Sequence, residues 1–243
     1  MEKSNLMKDE FLNVPSHVAL IPDGNRRWAK KRGLKPWEGH RAGAENFEKL
    51  IQCALRKKIK CFSMWGSSID NLIKRPVLEK KALLEIYKKY FKRLLSGPEI
   101  FENEVKVNFI GCWEEQFPNS LKKTIYEIIE KTKNYEKRML NFMLAYGGTD
   151  DMLQAIEKIR SKYKNEEKIT EKMLKENLMT ANLPPVDFMI RTGGEPHNSN
   201  GFLMWDTADA QLYFSPEFFP DFDEKKFEIA LEEYAQRERR FGK

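Results

Sequence analysis

His17-Val18-Ala19-Leu20-Ile21-Pro22-Asp23-Gly24-Asn25-Arg26-Arg27-Trp28 decides the fold class of this chain. An apolar run of strand length ends abruptly in a carboxylate, a glycine, an amide and two arginines. Ala29-Lys30-Lys31-Arg32-Gly33 then reads as a short helix with a glycine stop. Near-continuous apolar strands belong to parallel sheets covered on both faces. Open α/β sheets bind ligands at the carboxyl ends of their strands. A helix that starts there offers free N–H groups to an anion, and arginines add fork-shaped donors suited to phosphate oxygens. An acid among such donors makes chemical sense when a divalent cation sits between it and the phosphate. The dipeptides Asp23-Gly24 and Gly24-Asn25 taken alone are equally compatible with a plain tight turn.

Outward from this stretch, strand-like and helix-like runs alternate. Helices are predicted over Arg41–Lys57, Val77–Leu95, Ser120–Thr132, Asp150–Lys162 with Asp150 as cap, Ile169–Leu178 and Glu224–Arg240. Strands are predicted over Ile59–Trp65, Val105–Ile110, Leu140–Ala145, Val186–Ile190 and Gln211–Phe214, and a polar loop over Ser67–Pro76. This order implies an α/β fold: a single domain with a mostly parallel central sheet flanked by helices. The expected domain is 17–243, after a polar extension over 1–16. In Val77–Leu95 the large apolar residues cover more than one stripe. That predicts either plain burial or a helix with one side on the core and the other on a long apolar cavity.

Composition narrows the function. The 243 residues carry a formal net charge of +6, which suits a phosphate-bearing partner or an anionic membrane surface. The basic residues are mostly interleaved with acids, and Arg56-Lys57-Lys58 reads as a solvated face, so nucleic acid is not the expected partner. Three cysteines, Cys53, Cys61 and Cys112, lack metal-ligand spacing and read as free thiols of a reducing cytosol. No apolar run is long enough to span a membrane, and Met1–Asn13 has no secretion-signal core. Cytoplasmic placement is expected, with peripheral contact at the inner membrane face. Walker-type, dinucleotide-binding and hydrolase-elbow motifs are absent.

Each polar motif follows a strand: Asp23–Arg27, then Ser67-Ser68 with Asn71 and Arg75-Pro76, then Arg191-Thr192-Gly193-Gly194-Glu195 with His197, Ser199 and Asn200. Parallel strands would gather these on one rim rich in arginines and poor in acids, which fits two diphosphates. At these residues the chain resembles the cis-prenyltransferases. Ile21–Ala29, Gly39-His40-Arg41-Ala42-Gly43, Tyr146-Gly147-Gly148, Leu212-Tyr213-Phe214, Pro220-Asp221-Phe222 and Arg237–Gly242 complete the likeness, in family order. The resemblance implies an apolar tunnel, a homodimer, and condensation of an allylic diphosphate such as farnesyl or geranyl diphosphate with isopentenyl diphosphate. It implies Mg²⁺ handled by Asp23, with Asp23 and Asn25 in the chemistry. Gly24, Asn25, Arg26, Arg27, Trp28, His40 and Arg75 would hold the allylic diphosphate. Arg191, His197, Ser199, Arg240 and Gly242 would hold isopentenyl diphosphate. Read as residues, Trp28 suits packing better than chemistry, and Glu195 suits orienting arginines.

The chain departs from the family at several places. Gln211 stands where a Mg²⁺-binding glutamate is usual, and an amide is the weaker ligand for a hard dication. Asp209, two residues earlier, would share its face if both lay in one strand, and could supply the carboxylate. His197 replaces an arginine, Pro36 stands at another family arginine, Gly201 is an insertion, and the Ser67–Pro76 loop is about two residues longer than is usual in the family. These changes fall on the acceptor and metal side. They leave open a different prenyl acceptor, a branched or cyclised product, or a non-catalytic partner subunit. Retention of Asp23 with Arg27 argues against the subunit.

Overall fold

In the computed structural model, residues 13–163 and 168–237 are described. Six strands form one sheet in the order β3-β4-β2-β1-β5-β6: β1 His17–Ile21, β2 Cys61–Trp65, β3 Val105–Ile110, β4 Arg138–Met143, β5 Phe188–Arg191 and β6 Gln211–Phe214. All five strand pairs are parallel. Every loop that follows a strand therefore leaves from the same rim. The chain runs from β1 to β2 on one side, while β5 and β6 lie on the other. The strand order thus reverses at β1, where a crevice opens between the departing loops.

The helices are α1 Asn25–Lys31, α2 Pro36–Arg56, α3 Ile69–Lys74, α4 Val77–Ser96, α5 Glu99–Glu102, α6 Trp113–Gln116, α7 Asn119–Thr132, α8 Gly148–Lys162, α9 Glu171–Asn177 and α10 Glu224–Gln236, with a 3-10 turn at Phe219–Asp221. The larger core lies on one face. There Val18, Leu20, Phe62, Phe142 and Ile190 pack against Phe47 and Leu50 of α2, Phe91 of α4, Ile125 of α7 and Phe227 of α10. Ala19, Ile21, Met143 and Met189 point to the other face, onto Tyr146, Leu183, Phe202 and Leu203. Burial on both faces is the reason β1 reads as an unbroken apolar run.

Three local expectations change. The segment 67–76 is not all loop: Ser68 caps a short helix, α3, with its hydroxyl accepting from the Asn71 N–H at 3.0 Å. α8 begins at Gly148, so Asp150 lies in its first turn and is not its cap. α2 begins at Pro36, five residues before the predicted start at Arg41, because proline suits a first helical position and Glu38 accepts from the Lys35 N–H at 2.8 Å. α4 does not divide its faces between core and cavity, because Leu83, Tyr87 and Phe91 belong to both. Leu83, Ile86, Tyr87, Tyr90, Phe91 and Leu94 line an apolar cavity of about 100 Å³ that opens between α2, α4 and the sheet.

Candidate active site

β1 delivers Asp23 to the rim beside Arg191, the last residue of β5. The Arg191 side chain is only 5% exposed, and its guanidinium donates to Asp23 Oδ2 at 2.9 Å and to the His197 carbonyl at 2.8 Å. Its Nε is buried without a partner, a donor left for a ligand. The other Asp23 oxygen accepts from the Gly24 N–H at 2.6 Å and lies 3.3 Å from the Arg27 guanidinium. Arg27 also pairs with Glu195 at 3.0 Å. Thr192 fixes the turn by donating to the Asp23 carbonyl at 2.8 Å. Gly24 adopts φ +103°, and a Cβ there would press on Phe218, so only glycine lets the loop turn directly into α1.

Across the crevice a second group of donors forms around Glu79, in the first turn of α4. Its carboxylate is nearly buried and faces Arg75 at 2.9 Å, His40 at 3.2 Å and Arg26 at 3.6 Å. Arg75 also donates to His40 Nε2 at 2.7 Å. That nitrogen must therefore be the acceptor, with the imidazole neutral and its proton on Nδ1. The approach of Glu79 to the same nitrogen is then a contact and not a bond. Burial, helped by the Arg75 charge, pushes His40 down from 6.5 to about 4, in agreement with the neutral ring. Because the folded value lies below the unfolded one, this contribution to stability is complete above pH 6.5 and is lost as pH falls toward 4. Between pH 7 and pH 5 the loss should be about 2 kcal/mol. Urea unfolding of the wild type and of His40→Gln at both pH values checks this, and a wild type as pH-dependent as the variant would exclude it.

Asp23, Arg26, Arg27, His40, Asn71 and Arg75 face one open cavity of about 800 Å³. Pro22, Asn25, His40 and Gly66 line both this cavity and the apolar one. A polar, cationic mouth thus leads past Asn25 into a hydrocarbon-lined interior. Asn25 is set by the close crossing of α2. Side chains at Gly39 and Gly43 would overlap the Asn25 carbonyl and its side-chain oxygen respectively. Asn25 Nδ2 donates to the Pro22 carbonyl at 3.0 Å, while Oδ1 is buried with no partner.

A family profile for undecaprenyl diphosphate synthases (Prenyltransf) matches residues 21–242. The chain belongs to this family of cis-prenyltransferases. It is 38% identical over 232 residues to an isoprenyl transferase of Aquifex pyrophilus, covering 96% of this chain and 97% of that one. It is 36% identical over 233 residues to a (2E,6E)-farnesyl-diphosphate-specific ditrans,polycis-undecaprenyl-diphosphate synthase of Legionella pneumophila, covering 94% and 96%. The crystal structure of lavandulyl diphosphate synthase from Lavandula x intermedia, in complex with dimethylallyl diphosphate, superposes with a TM-score of 0.88 at 32% identity, covering 95% of this chain and 99% of that one. The protein is a cis-prenyltransferase, from a family that condenses an allylic diphosphate with isopentenyl diphosphate.

Against this cis-prenyltransferase frame, the rim gathers Asp23, Gly24, Asn25, Arg26, Arg27, His40, Arg75 and Arg191 as expected from the sequence. Trp28 departs: its indole N–H donates to Asp221 at 2.7 Å and Arg32 stacks over its ring, so it braces the Phe219–Asp221 turn outside the cavity wall. His197 presents its carbonyl, not its ring, to Arg191, and the ring is exposed. Ser199 lies in the same loop, which closes over Gly147 and Gly148 through the Gly148 N–H to the Asn200 carbonyl at 3.0 Å.

The carboxylate expected from Asp209 is also corrected. β6 begins at Gln211, and Asp209 lies in the preceding turn, so the two do not share a strand face. Gln211 is paired with Phe188, three residues before the rim residue Arg191, hence about 10 Å below the rim. Neither residue stands beside Asp23 within one chain. Arg240 and Gly242 lie outside the described residues. Glu79 was missed by the sequence reading, although its i, i+4 spacing from Arg75 at the start of a helix was a usable signal.

Proposed function

We propose that this cis-prenyltransferase is a chain elongator acting on a farnesyl- or geranyl-type allylic diphosphate. The observation that carries this reading is the junction at Pro22, Asn25, His40 and Gly66, where a cationic mouth meets an apolar interior. An amphiphile with a diphosphate head and a prenyl tail fits that polarity. In the reaction, C4 of isopentenyl diphosphate bonds to C1 of the allylic substrate, the C1–O bond breaks with its electron pair leaving on diphosphate, and C2 of the former isopentenyl unit loses a proton. Arg26, Arg27 and Arg75 aim donors at the leaving diphosphate, which stabilises charge that grows in the transition state. Asn25 stands where C1 would lie, with the apolar wall keeping water from the cation-like carbon.

The Mg²⁺ implied by the family fits the donor set. Mg²⁺ is commonly held by one or two carboxylates together with substrate phosphates, and Asp23 is a one-third exposed carboxylate facing the arginine-lined mouth. Among the described residues no three His, Cys, Asp or Glu side chains group into a metal cage, so substrate oxygens would complete the shell. Bound there, the ion would neutralise diphosphate charge. Arg191, with its free Nε, is the anchor for the second diphosphate.

A homodimer belongs to this reading. Leu212 on the edge strand β6, and separately Leu153 and Ile156 of α8, are exposed apolar groups that a second copy could cover. Ile73, Val77 and Leu78, exposed near the mouth beside Lys74, suit peripheral contact with a lipid surface that receives the product. No described helix is long and apolar enough to cross a membrane.

One observation favours a second reading. The His197–Asn200 loop lacks the family arginine and carries the Gly201 insertion, which suits an acceptor other than isopentenyl diphosphate. The deciding experiment supplies dimethylallyl, geranyl or farnesyl diphosphate with and without labelled isopentenyl diphosphate and Mg²⁺, and resolves products by mass spectrometry. Linear products growing by five-carbon units with cis double bonds are expected. Branched products formed from allylic diphosphate alone would replace the first reading by the second.

A further inference from the structure

The apolar cavity is small for its proposed task. An engineered cavity of about 150 Å³ accommodates benzene, so the roughly 100 Å³ here holds little more than one five-carbon unit beyond the mouth. A growing chain needs a way onward. At the end away from the diphosphate mouth, Glu48, Ile51 and Leu94 line the cavity and also form the wall of an outer groove of about 260 Å³ between α2 and α4. A carboxylate is out of place on a wall that otherwise consists of groups such as Phe47, Ile86 and Phe91. Glu48 reaches across from α2 to Arg93 of α4, 3.1 Å away, with side-chain exposures of 29% and 53%. Its burial raises its pKa, and Arg93 opposes the rise. An ion pair this exposed adds little to stability, so opening it costs little.

We propose that the Glu48–Arg93 pair is the exit latch of the prenyl cavity: the growing chain leaves between α2 and α4 there, and the latch sets the length at which elongation slows. The inference rests on the chain-elongating reading above. The other thin wall, at Ile86 and Tyr90, leads to a second groove of about 340 Å³. Tyr90 is tied there to Glu45 at 3.2 Å and covered by Arg93 and Lys89, so that route requires packed groups to move.

The test compares product lengths from farnesyl diphosphate, isopentenyl diphosphate and Mg²⁺ for the wild type, Glu48→Ala, the isosteric Glu48→Gln, Arg93→Ala, Leu94→Trp and Ile86→Trp. Circular dichroism confirms that each variant is folded. Opening the latch should move the main product of Glu48→Ala, Glu48→Gln and Arg93→Ala up by at least one five-carbon unit, and Leu94→Trp should shorten it. An active wild type whose distribution none of these four changes alters overturns the latch alone. Shortening by Ile86→Trp without any effect of Leu94→Trp overturns it in favour of the other wall. A wild type that elongates no allylic primer overturns the chain-elongating reading and the latch with it.

Discussion

Asp23→Asn should lower kcat about 10³-fold, the scale on which a single preorganised electrostatic group contributes to catalysis. The change is isosteric and keeps an oxygen for the Gly24 N–H, so the loop geometry should survive. What goes is the charge. Arg191 and Arg27 both face this carboxylate, and the neighbouring acid, Glu195, is already paired with Arg27 at 3.0 Å. Stability should fall as well, because Arg191 is left buried opposite a neutral amide. Asp23 is itself one-third exposed, so the cost is about 1–2 kcal/mol, below that of breaking a fully buried pair. Steady-state kinetics over a Mg²⁺ titration, with the melting temperature as control, checks both. A folded Asp23→Asn enzyme with wild-type kcat would remove Asp23 from the chemistry.

Gly39→Ala should be the most damaging single-methyl change near the site. A Cβ at Gly39 would run into the backbone carbonyl of Asn25, and backbone cannot rotate away as a flexible side chain would. α2 must then retreat from the start of α1, taking His40 with it. Overpacking of this kind costs about 1–3 kcal/mol, sometimes more. For a protein of this size that corresponds to a melting temperature lower by about 2–12 °C. Because Asn25 marks the junction of the two cavities, KM for the allylic diphosphate should rise at least tenfold even where the variant is folded. Gly33→Ala serves as the comparison, since nothing lies within 4 Å of a Cβ there and only its φ of +68° opposes the change. Equal damage from the two would mean that helix crossing is not what Gly39 protects.

Much of this was readable in the chain because it depends on neighbours in sequence. β3 and β6 fall at the predicted bounds, and β1 was visible as an apolar run because both its faces are buried. The start of α2 was missed because Trp37, Glu38 and His40 do not continue the apolar stripe, and proline reads as a breaker before it reads as a first turn. α3 was hidden because it is only six residues long: Ile69, Leu72 and Ile73 do recur at helical spacing behind the Ser68 cap, but one turn and a half is too short to stand out from a loop. The metal-side reading failed at Asp209 for a related reason. The alternation rule was sound, but the strand to which it was applied starts two residues later.

The sequence by itself determined the parallel α/β architecture, the carboxyl-edge location of the polar motifs and the anion-friendly chemistry of Asp23–Arg27. Periodicity, turn chemistry and charge are local properties, and a parallel sheet has only one edge at which its strands end. Only the tertiary structure decided which groups meet. It turned Trp28 outward onto Asp221, set Glu79 between His40, Arg26 and Arg75, and paired Arg191 with Asp23 across 168 residues. It also put Gln211 at the wrong end of its strand to share an ion with Asp23. Those outcomes depend on strand register and on how closely α2 crosses α1, which are set by packing between segments far apart in the chain.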